Sequence, residues 1–304
     1  MEAVAQRFHS VCEALGYPAE RTEQVKAELF PHLKKPTTIT PFDFGESIAA
    51  VIDHTLLKPE ATSKDIAKLC EEAVTHHFAC VCVNACRVQE AVSLLEAADS
   101  AKISKVGVAA VVGFPLGATT TATKAAETHE VVSLGASEVD MVLNIGKLKD
   151  SQYAFVLDDI TAVVKAAAET AKGATVKVIL ECGLLSKEQM IDACVLSVMA
   201  GAAFVKTSTG FIAAAGGAKL EDVSLMKSVV GERALVKASG GVRSYREAVA
   251  MVKAGAARIG ASAGVAIVAE EKKENEELST SSSSCSSCSC SCSSSSSSSS
   301  IGDY

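Results

Sequence analysis

AAFVKTSTGFIAAAGGAKLEDVSLMKSVVGERALVKASGG, residues 202–241, decides the reading of the fold. It opens on a short apolar run (202–210), continues as an amphipathic stretch near 220–230, and closes on a second run of the same texture (233–241). A buried strand, a covering helix and another buried strand form the repeating unit of a parallel sheet. The unit recurs in both directions. Further apolar runs are IAAVIDHT (48–55), FACVCVN (78–84), SKVGVAAVVG (104–113), SEVDMVLN (137–144), ATVKVILECG (174–183) and AARIGAS (256–262). Helix-like segments lie between them, near 63–76, 86–98, 119–134, 151–172, 186–200 and 244–254. This alternation predicts an α/β fold, a closed (β/α)8 TIM barrel. An open doubly wound sheet is the alternative, but it usually has fewer strands, and no glycine fingerprint follows the first strand. The Gly-Ala pairs at 135–136, 201–202 and 255–256 each precede a strand, where glycine suits a left-handed helix C-cap.

The flanks read differently. Val4, Phe8, Cys12 and Leu15 repeat at helical spacing, and Val25, Leu29 and Phe30 suggest a second short helix. Residues 1–45 are therefore expected to be a helical extension capping one end of a barrel that occupies 46–270. From 271 a charge run, EKKENEE, leads into a Ser-rich tract with Cys285, Cys288, Cys290 and Cys292. Such a composition buries too little apolar surface to offset its ordering entropy, so 271–304 is expected to be a disordered Ser/Cys-rich tail. Four thiolates could ligate zinc, but nothing around them supplies supporting partners, and no metal is expected.

Composition narrows the function. The chain is 304 residues long and 48% hydrophobic, with 4% aromatic residues and no Trp, a mix suited to Ala- and Val-rich barrel layers. A net charge of −7 with no basic run argues against nucleic-acid binding. No stretch reaches the roughly 18 uninterrupted apolar residues of a membrane span. The N-terminus lacks the apolar core of a signal peptide, and several of the body cysteines fall in apolar runs, so a reducing cytoplasmic setting is expected.

In a barrel of this kind, chemistry sits where strands end and βα-loops begin. Lys206 and Lys237 end consecutive strands. Buried lysines are costly unless paired or neutralised. Two ammonium groups about 5 Å apart repel by roughly 3 kcal/mol at an effective dielectric of about 20. That repulsion favours one neutral amine, the form needed for Schiff-base chemistry. Asp140 lies inside the fourth strand, where a carboxylate facing the mouth can pass protons. Weaker candidates are Asp53, ending the first strand, and Cys82, ending the second. Lys177 and Glu181 share a face of the fifth run. The turns TSTG (207–210), SGGVR (239–243) and GAS (260–262) offer backbone N–H groups to a phosphate.

Taken together and in order, IDHTLLKP, VCVN, VVGFPLG, EVDMVLNIG, FVKTSTGF, VKASGGVR and IGAS resemble the deoxyribose-phosphate aldolase family over residues 48–265. The resemblance implies a metal-free, cofactor-free class I aldolase acting on a small phosphorylated sugar. It casts Lys206 as the Schiff-base nucleophile, Lys237 as the amine that lowers its pKa, and Asp140 as the proton-transfer group. Asp53, Lys177 and Cys82 become supporting residues, while Gly210, Gly240, Gly241 and Ser262 become phosphate-binding ones. It further implies a homodimer and a C-terminal tyrosine, here Tyr304, on a tail that reaches the site, and the mechanism expected on these roles breaks the C3–C4 bond. Ala85 and Ala263 depart from the family pattern. Two alternatives stay open: another phosphosugar barrel enzyme, such as an isomerase or epimerase, and a catalytically silent aldolase-like binding protein.

Overall fold

The computed structural model describes residues 2–31, 47–98, 106–170 and 173–284. Its strands are β1 (Ile52–Leu56), β2 (Cys80–Val83), β3 (Gly107–Val112), β4 (Glu138–Val142), β5 (Thr175–Ile179), β6 (Phe204–Lys206), β7 (Leu235–Ser239) and β8 (Arg258–Ala261). They form a closed parallel barrel in sequence order, with β1 pairing β8. Seven strands lie inside the apolar runs, and β1 runs one residue past the end of the first, to Leu56. The first run begins instead with a 3-10 turn, Ile48–Val51.

The helices of the outer ring are α3 (Ser63–His76), α4 (Val88–Ala98), α5 (Thr121–Ser133), α7 (Tyr153–Ala168), α8 (Lys187–Met199), α9 (Leu220–Val230), α10 (Tyr245–Lys253) and α11 (Gly264–Ser284). A short α6 (Ile145–Lys149), not expected from the sequence, follows β4. Two more helices, α1 (Glu2–Ala14) and α2 (Ala19–Leu29), precede the barrel. The local signals explain the boundaries. Thr62, Ser186 and Ser244 start α3, α8 and α10 with reciprocal capping boxes. The Gly-Ala pairs stop α5, α8 and α10. Gly135, Gly201 and Gly255 have φ of 107°, 85° and 111°. Their N–H groups bond Val132, Val198 and Val252 carbonyls, and the next Ala N–H bonds one residue further back, closing Schellman motifs.

The main hydrophobic core lies between barrel and helices. A second, smaller cluster of Leu57, Cys80, Cys82, Ala109 and Val111 is set apart from it, with Phe114 packed against it. Cys82 pairs in register with Ala109, so these residues line one interior face of β2 and β3. No helix among the described residues is long and apolar enough to cross a membrane.

Two expectations about the flanks are corrected. The N-terminal helices do not cap a barrel mouth: α1 packs against α7 and α8 on the outer ring. Arg7 forks onto Asp192 of α8, with Nε 2.9 Å from Oδ1. The Tyr153 hydroxyl donates to the same carboxylate at 2.8 Å. At the other end, the tail does not begin at 271, because α11 continues to Ser284. Glu and Lys are good helix formers, and the Glu271 carboxylate is buried, accepting from the Ile48 N–H at 2.8 Å and the Ser47 hydroxyl at 2.5 Å. The Cys285–Cys292 cluster and Tyr304 lie outside the described residues, as does the link at 32–46.

The Arg7 tie makes the role of the extension measurable. Arg7→Ala leaves a buried Asp192 with only Tyr153, and should cost about 1–3 kcal/mol. A lowered urea midpoint at unchanged m-value would show it.

Candidate active site

The strand register sets the site. Asp140 on β4 is opposite Lys177 on β5, Lys206 is opposite Lys237, and Lys237 is opposite Arg258 on β8. All face the barrel interior, where one carboxylate gathers three lysines. Asp140 Oδ2 accepts from both Lys206 Nζ and Lys237 Nζ at 2.7 Å, and its Oδ1 accepts from Lys177 Nζ at 2.8 Å. Asp53 Oδ2 lies 2.5 Å from Lys237 Nζ, an ion pair out of hydrogen-bond alignment. Arg258 Nε donates to the other Asp53 oxygen at 2.8 Å. Glu138 closes the ring by accepting from Lys177 and from Arg258, the latter at 3.0 Å.

Three carboxylates (Asp53, Glu138, Asp140) thus face four basic groups (Lys177, Lys206, Lys237, Arg258). With every group ionised, the buried cluster carries one positive charge in excess. Loss of one lysine proton makes it neutral. The contacts select which lysine gives it up. Lys177 pairs with three carboxylates and Lys237 with two, but Lys206 pairs with Asp140 alone. Burial lowers the Lys206 pKa, and neighbouring Lys237 lowers it further against the pull of Asp140. Burial also opposes the Lys237 ammonium, but Asp140 and Asp53 outweigh it and hold its pKa well above the ordinary lysine value. Burial opposes the Lys177 ammonium too, but Asp140, Asp53 and Glu138 together outweigh it and raise its pKa. Repulsion between the amines was the expected cause of the Lys206 shift; desolvation comes first. Asp140 itself is buried, yet its three lysines keep it well below the usual carboxylate range.

Position separates the two lysines at the mouth. Lys206 is 3% exposed and borders a cavity of about 470 Å³, whereas Lys237 is fully buried beneath it. The cavity extends over Gly210, Gly240, Gly241 and Ser262, and so brings all four expected phosphate positions beside Lys206. Gly240 and Gly241 take φ of 88° and 84°, open to glycine and strained for other residues. A Cβ on Gly217 would come within 2.1 Å of the Gly240 carbonyl oxygen, so the loop before α9 packs directly on the β7 turn. Ser262 stands two residues before α11, whose N-terminus carries the positive end of the helix dipole.

Other placements differ from expectation. Lys177 and Glu181 do not pair. β5 ends at Ile179, and Glu181 sits in a left-handed conformation at φ 56°. Its carboxylate accepts from the Thr209 N–H at 3.2 Å and from the Thr209 hydroxyl, holding the β6 loop. Cys82 is fully buried on the apolar wall, and burial pushes its thiol up, away from the reactive thiolate. Glu138 and Arg258 had not been singled out, though both are charged residues inside apolar runs, and Glu138 shares the face of Asp140 by strand alternation. Ser239 was expected to offer only its backbone N–H, as part of the SGGVR turn; its hydroxyl also borders the cavity, buried and without a partner among the described residues. Asp53, Cys80 and Glu138 have the spacing of a metal site, but Arg258 already occupies both carboxylates.

A family model described as DeoC/LacD family aldolase matches residues 39–270. A deoxyribose-phosphate aldolase of Halalkalibacterium halodurans is 57% identical over 230 residues, covering 76% of this chain and 98% of its own. One of Caldanaerobacter subterraneus subsp. tengcongensis is 55% identical over 228 residues, covering 75% and 95%. Among solved structures, the tetrameric deoxyribose phosphate aldolase from Aeropyrum pernix superposes with a TM-score of 0.67 at 34% identity, covering 74% of this chain and 91% of its own.

The charge cluster yields a stability test. Asp140→Asn leaves three buried lysines without their shared anion and should cost about 3–5 kcal/mol in chemical denaturation. The pH sign follows from the lowered carboxylates, Asp140 and Asp53. Their contribution is complete above the unfolded carboxylate pKa of about 3.9 and is lost as pH falls through the lower native values. The variant should therefore show a flatter acid limb than the parent.

Proposed function

The chain belongs to the DeoC/LacD family of aldolases, and from that premise we propose that it is a deoxyribose-phosphate aldolase. The reaction is reversible cleavage of 2-deoxy-D-ribose 5-phosphate to D-glyceraldehyde 3-phosphate and acetaldehyde. The observation that carries the proposal is one lysine of lowered pKa, Lys206, bordering a glycine-lined cavity inside a cluster one negative charge short of neutrality.

Neutral Lys206 attacks C1 of the open-chain sugar while the phosphate sits among Gly210, Gly240, Gly241 and Ser262. Loss of water gives a protonated imine. The bond that breaks is C2–C3, and this corrects the expected C3–C4 cleavage. A two-carbon product leaves C1 and C2 together, and only the C2–C3 electrons flow into the imine. The C3 hydroxyl loses its proton towards Asp140, through a water. A carboxylate surrounded by three cations is a weak base. Here the iminium charge beside it vanishes as the enamine forms, so one cation stops holding it down at the moment the proton arrives. The cluster charge is conserved across the step. Glyceraldehyde 3-phosphate leaves, the enamine is protonated at C2, and hydrolysis releases acetaldehyde and Lys206.

In this reading Lys237 stays protonated. It fixes Asp140 and adds to the burial that depresses Lys206. Asp53, Lys177, Glu138 and Arg258 hold that arrangement in place, and Cys82 contributes to the wall. A homodimer and a cytoplasmic location belong to the same proposal. The seven unpaired cysteines of the described residues support a reducing compartment.

Borohydride with acetaldehyde should leave a two-carbon adduct on Lys206. Lys206→Ala should abolish the adduct and lower turnover of deoxyribose phosphate by at least about 10³-fold. An adduct mapped to Lys237 would reverse the roles. Because the nucleophile is the unprotonated amine, kcat/KM should fall as pH drops through the depressed Lys206 pKa. Lys237→Met should move that limb, since it removes a cation from beside Lys206.

A further inference from the structure

The interior of the barrel is divided. The charged groups stand on β1 and on β4 to β8, whereas Leu57, Cys82, Ala109 and Val111 make an apolar wall on the β1–β3 side. Phe114, in the loop after β3, packs against that wall. Its ring meets the edge of Phe211, in the loop after β6, with centroids 4.9 Å apart and planes at 82°. Strands β3 and β6 are not neighbours in the closed ring, because β4 and β5 lie between them. An aromatic contact between their loops therefore crosses the mouth. Phe211 also borders the cavity into which Lys206 opens. It is 46% exposed, so one face of the ring stays open to the mouth.

We propose that Phe114 and Phe211 form an aromatic bridge over the apolar half of the mouth, and that this bridge limits the length of the aldehyde Lys206 accepts as the enamine-forming partner. The inference rests on the aldolase reading and adds a specificity determinant to it. A substituent on the nucleophilic carbon has two places to go. Towards Asp140, it would displace groups whose hydrogen bonds it cannot replace. Towards the apolar wall it is welcome chemically, but the bridge closes that space. Acetaldehyde carries no such substituent and propanal carries one methyl. In a close-packed apolar pocket, one methyl group changes relative rates by roughly 10–200-fold.

The test compares the parent with Phe114→Ala, Phe211→Ala and Phe114→Leu. Each condenses D-glyceraldehyde 3-phosphate with acetaldehyde or with propanal, and the readout is the ratio of kcat/KM values. The parent should favour acetaldehyde. Each alanine variant should raise the propanal share of that ratio by about tenfold or more, and Phe114→Leu should fall between. Parallel loss for both aldehydes, or a ratio within about twofold of the parent, would overturn the bridge as a determinant and leave the rings structural. Reductive trapping of each aldehyde on the enzyme gives the same ratio without turnover. If the parent fails to cleave deoxyribose phosphate, the aldolase reading fails in that arm alone, and the trapping ratio still decides the bridge.

Discussion

One carboxylate oxygen shared by two lysines organises this molecule. Asp140 Oδ2 is the acceptor for Lys206 and Lys237 together, while Oδ1 holds Lys177. Water is largely excluded there, and an isolated charge would be very costly. The cluster therefore has to come close to balance from its own groups, and three acids against four bases do not balance. The mismatch falls on the lysine with fewest anions around it and with access to the cavity. Reactivity here is the residue of an incomplete pairing rather than a property of lysine alone.

The same constraint orders the surrounding fold. Strand alternation places Glu138 and Asp140 on one face, and the register sets Lys206 beside Lys237 and Lys237 beside Arg258. A shift of one residue in any of these strands would turn its charged side chain outward into the apolar layer beneath the helices. Schellman-capped helix ends bring the chain into β4, β6 and β8 without slack, which keeps the strand starts fixed. The other interior face carries no charge, and it gives the mouth its two-sided character.

Much of this was readable from the sequence, because the signals are local. The eight apolar runs, the helices between them, the glycine stops and the lysines at consecutive strand ends are each written in a few adjacent residues. Asp140 stood out as a charge inside an apolar run. Glu138 and Arg258 carried the same mark, but their meaning depends on which side chains meet across the barrel, and no stretch of sequence contains that. Lys177 and Glu181 misled for a related reason: strand alternation was extended past Ile179, where the chain turns left-handed and sends Glu181 to Thr209. Composition misjudged residues 271–284, since a charged run also suits a helix when one of its glutamates finds buried partners.

That glutamate has a mechanical consequence. Glu271 accepts from Ser47 and Ile48, residues 224 and 223 positions away, and so joins the 3-10 turn that leads into the first strand to the last helix. The barrel is closed once by β1 against β8 and a second time by this side chain, which acts as a non-covalent clasp around nearly the whole circuit. A parallel barrel is most exposed to fraying where its first and last units meet. With both edges tied to one carboxylate, opening of the seam has to break its two hydrogen bonds as well as the β1–β8 ladder, which raises the cost of fraying there.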